Sequence, residues 1–383
     1  MTLLNEDVLH RTLDARFDEY LASRRISGAA ASVWQDGKCA YRRFVGTTAP
    51  GGDTPVQEKS LFRLASMTKP VTAVAVLLLA EQYKLHLDDP IEKYLPEFRD
   101  RRLWAIGADG AVVDQGAVLT KPTILHLLTH TSGLGGGALG EYANAQMPRE
   151  ARCDLASATS YYATLGLGFE PFTKQEYSPL AAFDVLARIV EVVSGERFGA
   201  FLKRFIFDRC EMSDTTFSPS DAQWPHLVTM HDYRDGQAVA VQGINGCVFE
   251  DYPTTYEVGG AGLISTLDDY VRFAEMLREG GAYRGTRVLG ERWTRMMTSP
   301  VVPPNVQAGY KRWGLSVRVI VGEGYRLLPV GAYGWGGVFG TYFWVDPVNR
   351  ITAVYMRNSY YDGGFVSRIS HRFEEDVHRA LMG

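Results

Sequence analysis

The sequence predicts an α/β (α+β) protein, in which an antiparallel sheet flanked by helices receives an inserted all-helical subdomain. Three observations predict it: an amphipathic helix and a hairpin signal open the chain, helical runs fill its middle, and aromatic or β-branched runs return before a last helix. Residues 1–90 and 255–383 are therefore expected to build one α/β sandwich subdomain from both chain ends. Residues 91–254 are expected to form a mostly helical subdomain facing it.

Residues 6–25 place Val8, Leu9, Leu13, Phe17, Tyr20 and Leu21 at spacings of three and four, one face of a helix that Gly28 would end. Between Gly28 and Gly46, two short strands flank Asp36-Gly37, residues that tolerate positive φ in a two-residue turn. From Ser66 to about Lys84 the pattern is apolar almost all round, which predicts an enclosed helix stopped at Asp88-Asp89-Pro90. Its most apolar part, Val71 to Ala80, is too short to span a bilayer and runs at once into Glu81 and Gln82. Helical runs at Ile124–Leu128 and Ala181–Val193 follow, separated by links such as the glycine-rich Ser132 to Gly137. After Gly259-Gly260-Ala261-Gly262 a helix from Thr266 to Leu277 is expected, with Thr266 as its cap. Strands at Trp313–Ile320, Val338–Val345 and Ile351–Met356, a turn at Asp346-Pro347 and a closing helix from Ser367 to Met382 complete the order.

With 383 residues, a formal charge of -4, 46% hydrophobic and 22% charged residues, the chain is an ordinary globular protein. Its scattered Lys and Arg residues offer no phosphate-tracking surface, so nucleic acid is not an expected partner. Cys39, Cys153, Cys210 and Cys247 are far apart and form no CxxC pair, which argues against a zinc site or a disulfide framework. They are expected to be reduced and mostly buried. The start, with acids at Glu6 and Asp7 and no basic leader before a long apolar run, does not read as an export signal, so a cytoplasmic location is expected.

The sharpest chemical feature is Ser66-Met67-Thr68-Lys69, where a polar turn enters the apolar helix. A serine and a lysine three residues apart share a helical face, so the amine can reach the hydroxyl. A neutral lysine can then take the hydroxyl proton. The spacing alone also fits Ser66 as a helix cap with Lys69 reaching water. His126 and His130, one turn apart, lack the H-E-x-x-H pattern and a third ligand, so no metal is expected. The chain has no G-x-S-x-G elbow, which removes the usual reason to expect an α/β-hydrolase triad.

Phe62-Arg63-Leu64-Ala65-Ser66-Met67-Thr68-Lys69-Pro70 is followed in order by Leu87-Asp88-Asp89-Pro90, His126-Leu127-Leu128-Thr129-His130-Thr131-Ser132-Gly133-Leu134, Tyr177-Ser178-Pro179, Val193-Ser194-Gly195 and Gly259 to Thr266. This series resembles the serine β-lactamase and penicillin-binding superfamily over nearly the whole chain, and above all its class C-like branch with the β-lactamase-like (family VIII) esterases. The resemblance implies a β-lactamase-like fold and a catalytic set of Ser66, Lys69 and Tyr177, with no cofactor. It implies an oxyanion hole from the backbone N–H groups of Ser66 and Val338. The family's third motif, Lys-Thr-Gly or His-x-Gly, is matched by Tyr333-Gly334-Trp335-Gly336-Gly337-Val338, with Trp335 where the lysine stands. Trp335, Tyr333, Gly336 and Gly337 are the expected substrate-binding residues, although Gly334, Gly336 and Gly337 also suit a bulge or tight turn.

Pro179 stands where the family commonly has asparagine, and an indole replaces the cation that would attract a carboxylate. Both departures point to a carboxylesterase acting on small esters as its partner molecules. The alternatives are an acyltransferase using the same acyl-enzyme, a β-lactamase or D-amino-acid peptidase, and an inactive binding protein on the same fold. Nothing in the pattern sets the oligomeric state.

Overall fold

The computed structural model describes residues 1–241, 254–360 and 368–382. Cys247 and the expected helix start at Ser367 lie outside them. One antiparallel sheet of seven strands runs in the spatial order Lys311–Trp313, Arg318–Ile320, Tyr333–Gly336, Tyr342–Asp346, Ile351–Met356, Gly28–Gln35 and Lys38–Gly46. The chain's first strand therefore pairs with its last, Ala30 opposite Met356 and Gln35 opposite Ile351. At the expected turn, Asp36 and Gly37 take φ of 52° and 76°, which joins Gln35 to Lys38 in a two-residue hairpin.

Alternation along the strands builds a layer on each face. Ala29, Ala31, Val33, Trp344, Ala353 and Tyr355 pack with Leu9, Leu13 and Phe17 of the helix Glu6–Ala22 and with Phe373 and Val377 of the helix Arg368–Met382. Ala30, Phe343, Val345, Val354 and Met356 face the other way, into a larger core that includes the helices Thr68–Glu81 and Leu267–Arg278. The same core continues through Ile124, Leu127, Phe183 and Val185 of the inserted segment. Small alanines on both faces of the first strand let the helical layers approach closely.

Several boundaries differ from expectation. The first helix stops at Ala22, before Gly28, which instead begins the strand. The apolar helix runs from Thr68 to Glu81, so it ends before Asp88; a 3-10 turn, Ala65–Met67, precedes it and carries Ser66. The Trp313–Ile320 run folds back on itself as two paired strands, because Gly314 to Val317 make a turn in which Ser316 has φ of 78°. Val338 to Thr341 likewise form the turn ahead of the strand Tyr342–Asp346. The inserted segment adds two hairpins to its helices, Arg102–Ile106 with Val112–Ala117 and His231–Arg234 with Gln237–Ala240. Periodicity over so few residues cannot separate a short strand from a loop. Cys210 is buried, but Cys39 and Cys153 are exposed. Among the described residues, no helix is long and apolar enough to cross a membrane.

Candidate active site

Ser66 is presented by backbone held from several directions. The short strand Phe62–Arg63 pairs with Ile264–Ser265, and Leu64 N–H donates to Leu263 O at 2.9 Å. Buried Asn358, just past the last sheet strand, grips Arg63 twice: its Oδ1 accepts from Arg63 N–H at 2.9 Å and its Nδ2 donates to Arg63 O at 3.1 Å. The Tyr270 hydroxyl donates to Met67 O at 2.8 Å, and Leu263 N–H donates to Thr68 Oγ1 at 3.1 Å. Between these anchors Ala65 is held at φ of 47°, a left-handed conformation that a residue with a Cβ rarely adopts. Strain of this kind persists only where the surroundings over-determine it.

Lys69 is fully buried one turn along. Its Nζ reaches three acceptors: Ser66 Oγ at 3.1 Å, Pro179 O at 2.6 Å and Gly260 O at 2.7 Å. From the other side the Tyr177 hydroxyl donates to Ser66 Oγ at 2.8 Å. The structure thus brings Ser66, Lys69 and Tyr177 together around one oxygen, and Ser66 remains partly accessible. The Tyr177 ring is enclosed by aromatics, with ring centres at 4.5 Å for His130, 5.3 Å for Trp335 and 6.0 Å for the nearly parallel Trp313.

The end of the strand Tyr333–Gly336 leads straight to the segment before Ser66. A Cβ on Gly337 would lie 2.3 Å from Leu64 O and 2.3 Å from Thr341 Oγ1, so only glycine lets this backbone meet the segment before Ser66. Thr341 Oγ1 also donates to Leu64 O at 2.8 Å. Val338 follows at once, 49% exposed, and its N–H has no acceptor among the described residues. Ser66 stands in the first turn of a 3-10 helix, where leading N–H groups lack an intrahelical acceptor. Gly337→Ala is expected to destabilise the protein by about 1–3 kcal/mol through overpacking. Gly322→Ala, whose Cβ would meet nothing nearer than 3.7 Å, should be neutral. Equal denaturation midpoints for the two variants would contradict this packing.

Two of the expected substrate-binding residues are largely buried. Tyr333 is 5% exposed, and burial pushes its phenol pKa up, with Arg278 pulling it down. Trp335 is 3% exposed and packs beside Tyr177 and Trp313, with ring centres at 5.3 and 4.6 Å. Alternation explains both: positions 333 and 335 share a strand face that packs into the core.

Other contributors escaped the sequence reading. The carbonyls of Pro179 and Gly260 carry no side-chain signature, although Tyr177-Ser178-Pro179 and the Gly259 cluster did mark their segments. Arg318, paired in register with Gly334, lies 5.2 Å from the Trp335 ring centre and 5.4 Å from that of Trp313. Burial lowers its pKa. Asp184, fully buried in the helix Ala181–Ser194, accepts from Tyr256 OH at 2.6 Å and from Gly260 N–H at 3.2 Å, which fixes the residue whose carbonyl meets Lys69. Burial pushes its carboxyl up to about 6, against the pull of Tyr256, Gly260 and Lys69. His126 Nδ1 accepts from Thr123 N–H at 3.2 Å as part of a capping box, and burial lowers its pKa to about 4. No group of three or more His, Cys, Asp or Glu is placed to hold a metal ion among the described residues.

Comparison with known proteins gives a match to the Beta-lactamase family over residues 13–374. The chain is 30% identical to esterase EstB of Burkholderia gladioli over 387 residues, covering 92% of this chain and 91% of that protein. Its fold superposes on the solved structure of EstCE1, described as a hydrolase with promiscuous acyltransferase activity, with a TM-score of 0.81 at 24% identity and 99% of each chain covered. It also superposes on a family VIII carboxylesterase, with a TM-score of 0.77 at 18% identity and 97% of each chain covered.

Proposed function

The chain belongs to the Beta-lactamase family and is a serine hydrolase acting on ester bonds; from that premise we propose that it is a carboxylesterase that cleaves small esters through an acyl-enzyme on Ser66. The observation that carries this reading is the set of partners around Lys69. An uncharged amine has two N–H bonds and one lone pair. Nζ donates to Pro179 O at 2.6 Å, Gly260 O at 2.7 Å and Ser66 Oγ at 3.1 Å; once it gives up the proton directed at Ser66, the first two bonds stay and the freed lone pair points to Oγ. Lys69 then accepts the Ser66 proton as Oγ bonds to the ester carbonyl carbon. The N–H groups of Ser66 and Val338 receive the developing oxyanion. As the carbonyl carbon–alkoxy bond breaks, Tyr177 passes a proton to the departing alcohol and recovers one through Lys69. Water repeats the sequence in reverse and frees the acid.

The ester preference rests on Trp335 and Pro179, which stand where related sequences place a cation and an amide. Arg318 brings a guanidinium near this place, but two indole faces cover it. An uncharged short-chain aryl ester is expected to have a specificity constant at least ~100-fold above that of a penicillin or a D-alanyl peptide, about 2.7 kcal/mol of differential transition-state stabilisation. A panel of p-nitrophenyl esters, nitrocefin, a penicillin and a D-Ala-D-Ala peptide measures it. Equal or greater specificity for the last two classes overturns the ester assignment. Acyl transfer is the second reading, since the similar fold of EstCE1 belongs to a hydrolase described as having that activity. Adding alcohol acceptors and resolving ester from acid products separates the two.

A further inference from the structure

We propose that His130 is a positioning residue that holds Tyr177 against Ser66 by gripping the chain on both sides of it; this rests on the reading of Tyr177 as a proton carrier. His130 is fully buried; its N–H closes the preceding helix on Leu127 O at 3.3 Å, while its carbonyl and its ring bond the two residues that flank Tyr177. Its carbonyl accepts from Glu176 N–H at 3.0 Å, and its Nδ1 accepts from Ser178 N–H at 3.1 Å. Between those two bonds its ring lies against the Tyr177 ring, with centres 4.5 Å apart, and Phe183 and Trp313 hold the imidazole at 5.3 and 4.5 Å.

This geometry requires an acceptor at Nδ1, so the proton of the neutral ring sits on Nε2, which has no acceptor among the described residues. Burial, with the charges of Lys69 and Arg318 nearby, holds the imidazole pKa well below its ordinary value and keeps it neutral. The backbone at His130 is left-handed, with φ of 56°, which turns its carbonyl and its side chain toward the same strand of chain. A core histidine kept only to fill space would gain nothing from bonding both neighbours of one tyrosine, and phenylalanine would fill the space without an unpaired ring nitrogen. The acceptor sets the position of the Tyr177 backbone, and the ring contact sets its side-chain direction. The hydroxyl consequently meets Ser66 Oγ at 2.8 Å.

The test is a pair of cycles read by pre-steady-state acylation with a p-nitrophenyl ester. His130→Phe keeps the ring and removes the acceptor, and a shift of Tyr177 by about an ångström is expected to slow acylation roughly 10- to 100-fold, with KM changing far less. In a Tyr177→Phe background the same substitution should change the rate by no more than about twofold, because the group it positions is gone. His130→Asn, whose Oδ1 can take the place of Nδ1 and whose backbone tolerates positive φ, should restore most of the rate. His130→Gln, whose acceptor reaches the Nε2 side instead, should not. If His130→Phe does not fold, the Asn and Gln variants carry the same contrast. An unslowed His130→Phe, an equal loss in both backgrounds, or equal rates for Asn and Gln overturns the role of His130 alone. An unslowed Tyr177→Phe overturns the reading of Tyr177 and this proposal with it.

Discussion

Ser66→Ala is expected to lose ester turnover by on the order of 10⁴-fold or more, the scale seen when a nucleophile is removed from a working hydrolase. Its hydroxyl is the point on which Lys69 and Tyr177 converge, at 3.1 and 2.8 Å, so nothing else in that arrangement is placed to replace it. Intact-mass measurement after rapid quench with a slow ester should find one added acyl group on the wild-type chain and none on the variant. Ser66 is partly accessible, so water can satisfy the two donors that loss of its hydroxyl exposes, and the variant should keep its fold. An adduct on another residue, or unchanged turnover by Ser66→Ala, would remove Ser66 from the mechanism.

Replacing either proton carrier should slow acylation by roughly 10²- to 10⁴-fold. Tyr177→Phe is the cleaner variant, because the ring keeps its packing on His130, Trp313 and Trp335 and only the hydroxyl is lost. Lys69→Met does more. It leaves the carbonyls of Pro179 and Gly260 without their buried donor, each at a cost of about 1–3 kcal/mol. A lower thermal midpoint is therefore expected for Lys69→Met and not for Tyr177→Phe, and rates should be compared where both are folded. Because the two residues act on one oxygen, the double variant should be little slower than the worse single one. Near-normal acylation by either folded variant would refute its role, and fully additive losses would show that the residues act apart.

Much of this arrangement is legible in the chain because it depends on local spacing. Ser66 and Lys69 are three residues apart, so any helical continuation brings the amine to the hydroxyl. Asp36-Gly37 specifies its hairpin in the same way, through backbone angles that few other pairs accept. Tyr177, in contrast, is 111 residues from Ser66, and only its resemblance to a family segment marked it before the fold was known. Val338 was marked by the same route, and the glycine ahead of it then found its physical reason in the 2.3 Å approach to Leu64 O.

Tertiary packing decided the rest. Whether Trp335 and Tyr333 face a ligand or the core depends on which side of their strand is covered, and neither residue's identity carries that information. The two carbonyls on Lys69 belong to Pro179 and Gly260, 110 and 191 residues away, and a carbonyl is common to every residue, so no composition or motif can single it out. Arg318 likewise reaches the Trp313 and Trp335 rings by strand pairing rather than by sequence distance. By itself, then, the sequence determined the fold class, the pairing of Ser66 with Lys69 and the local turns, because short-range geometry and side-chain chemistry specify them. The three-dimensional structure decided which distant backbone groups hold Lys69 and which aromatic rings enclose Tyr177, because those contacts arise only when the inserted helices close against the sheet.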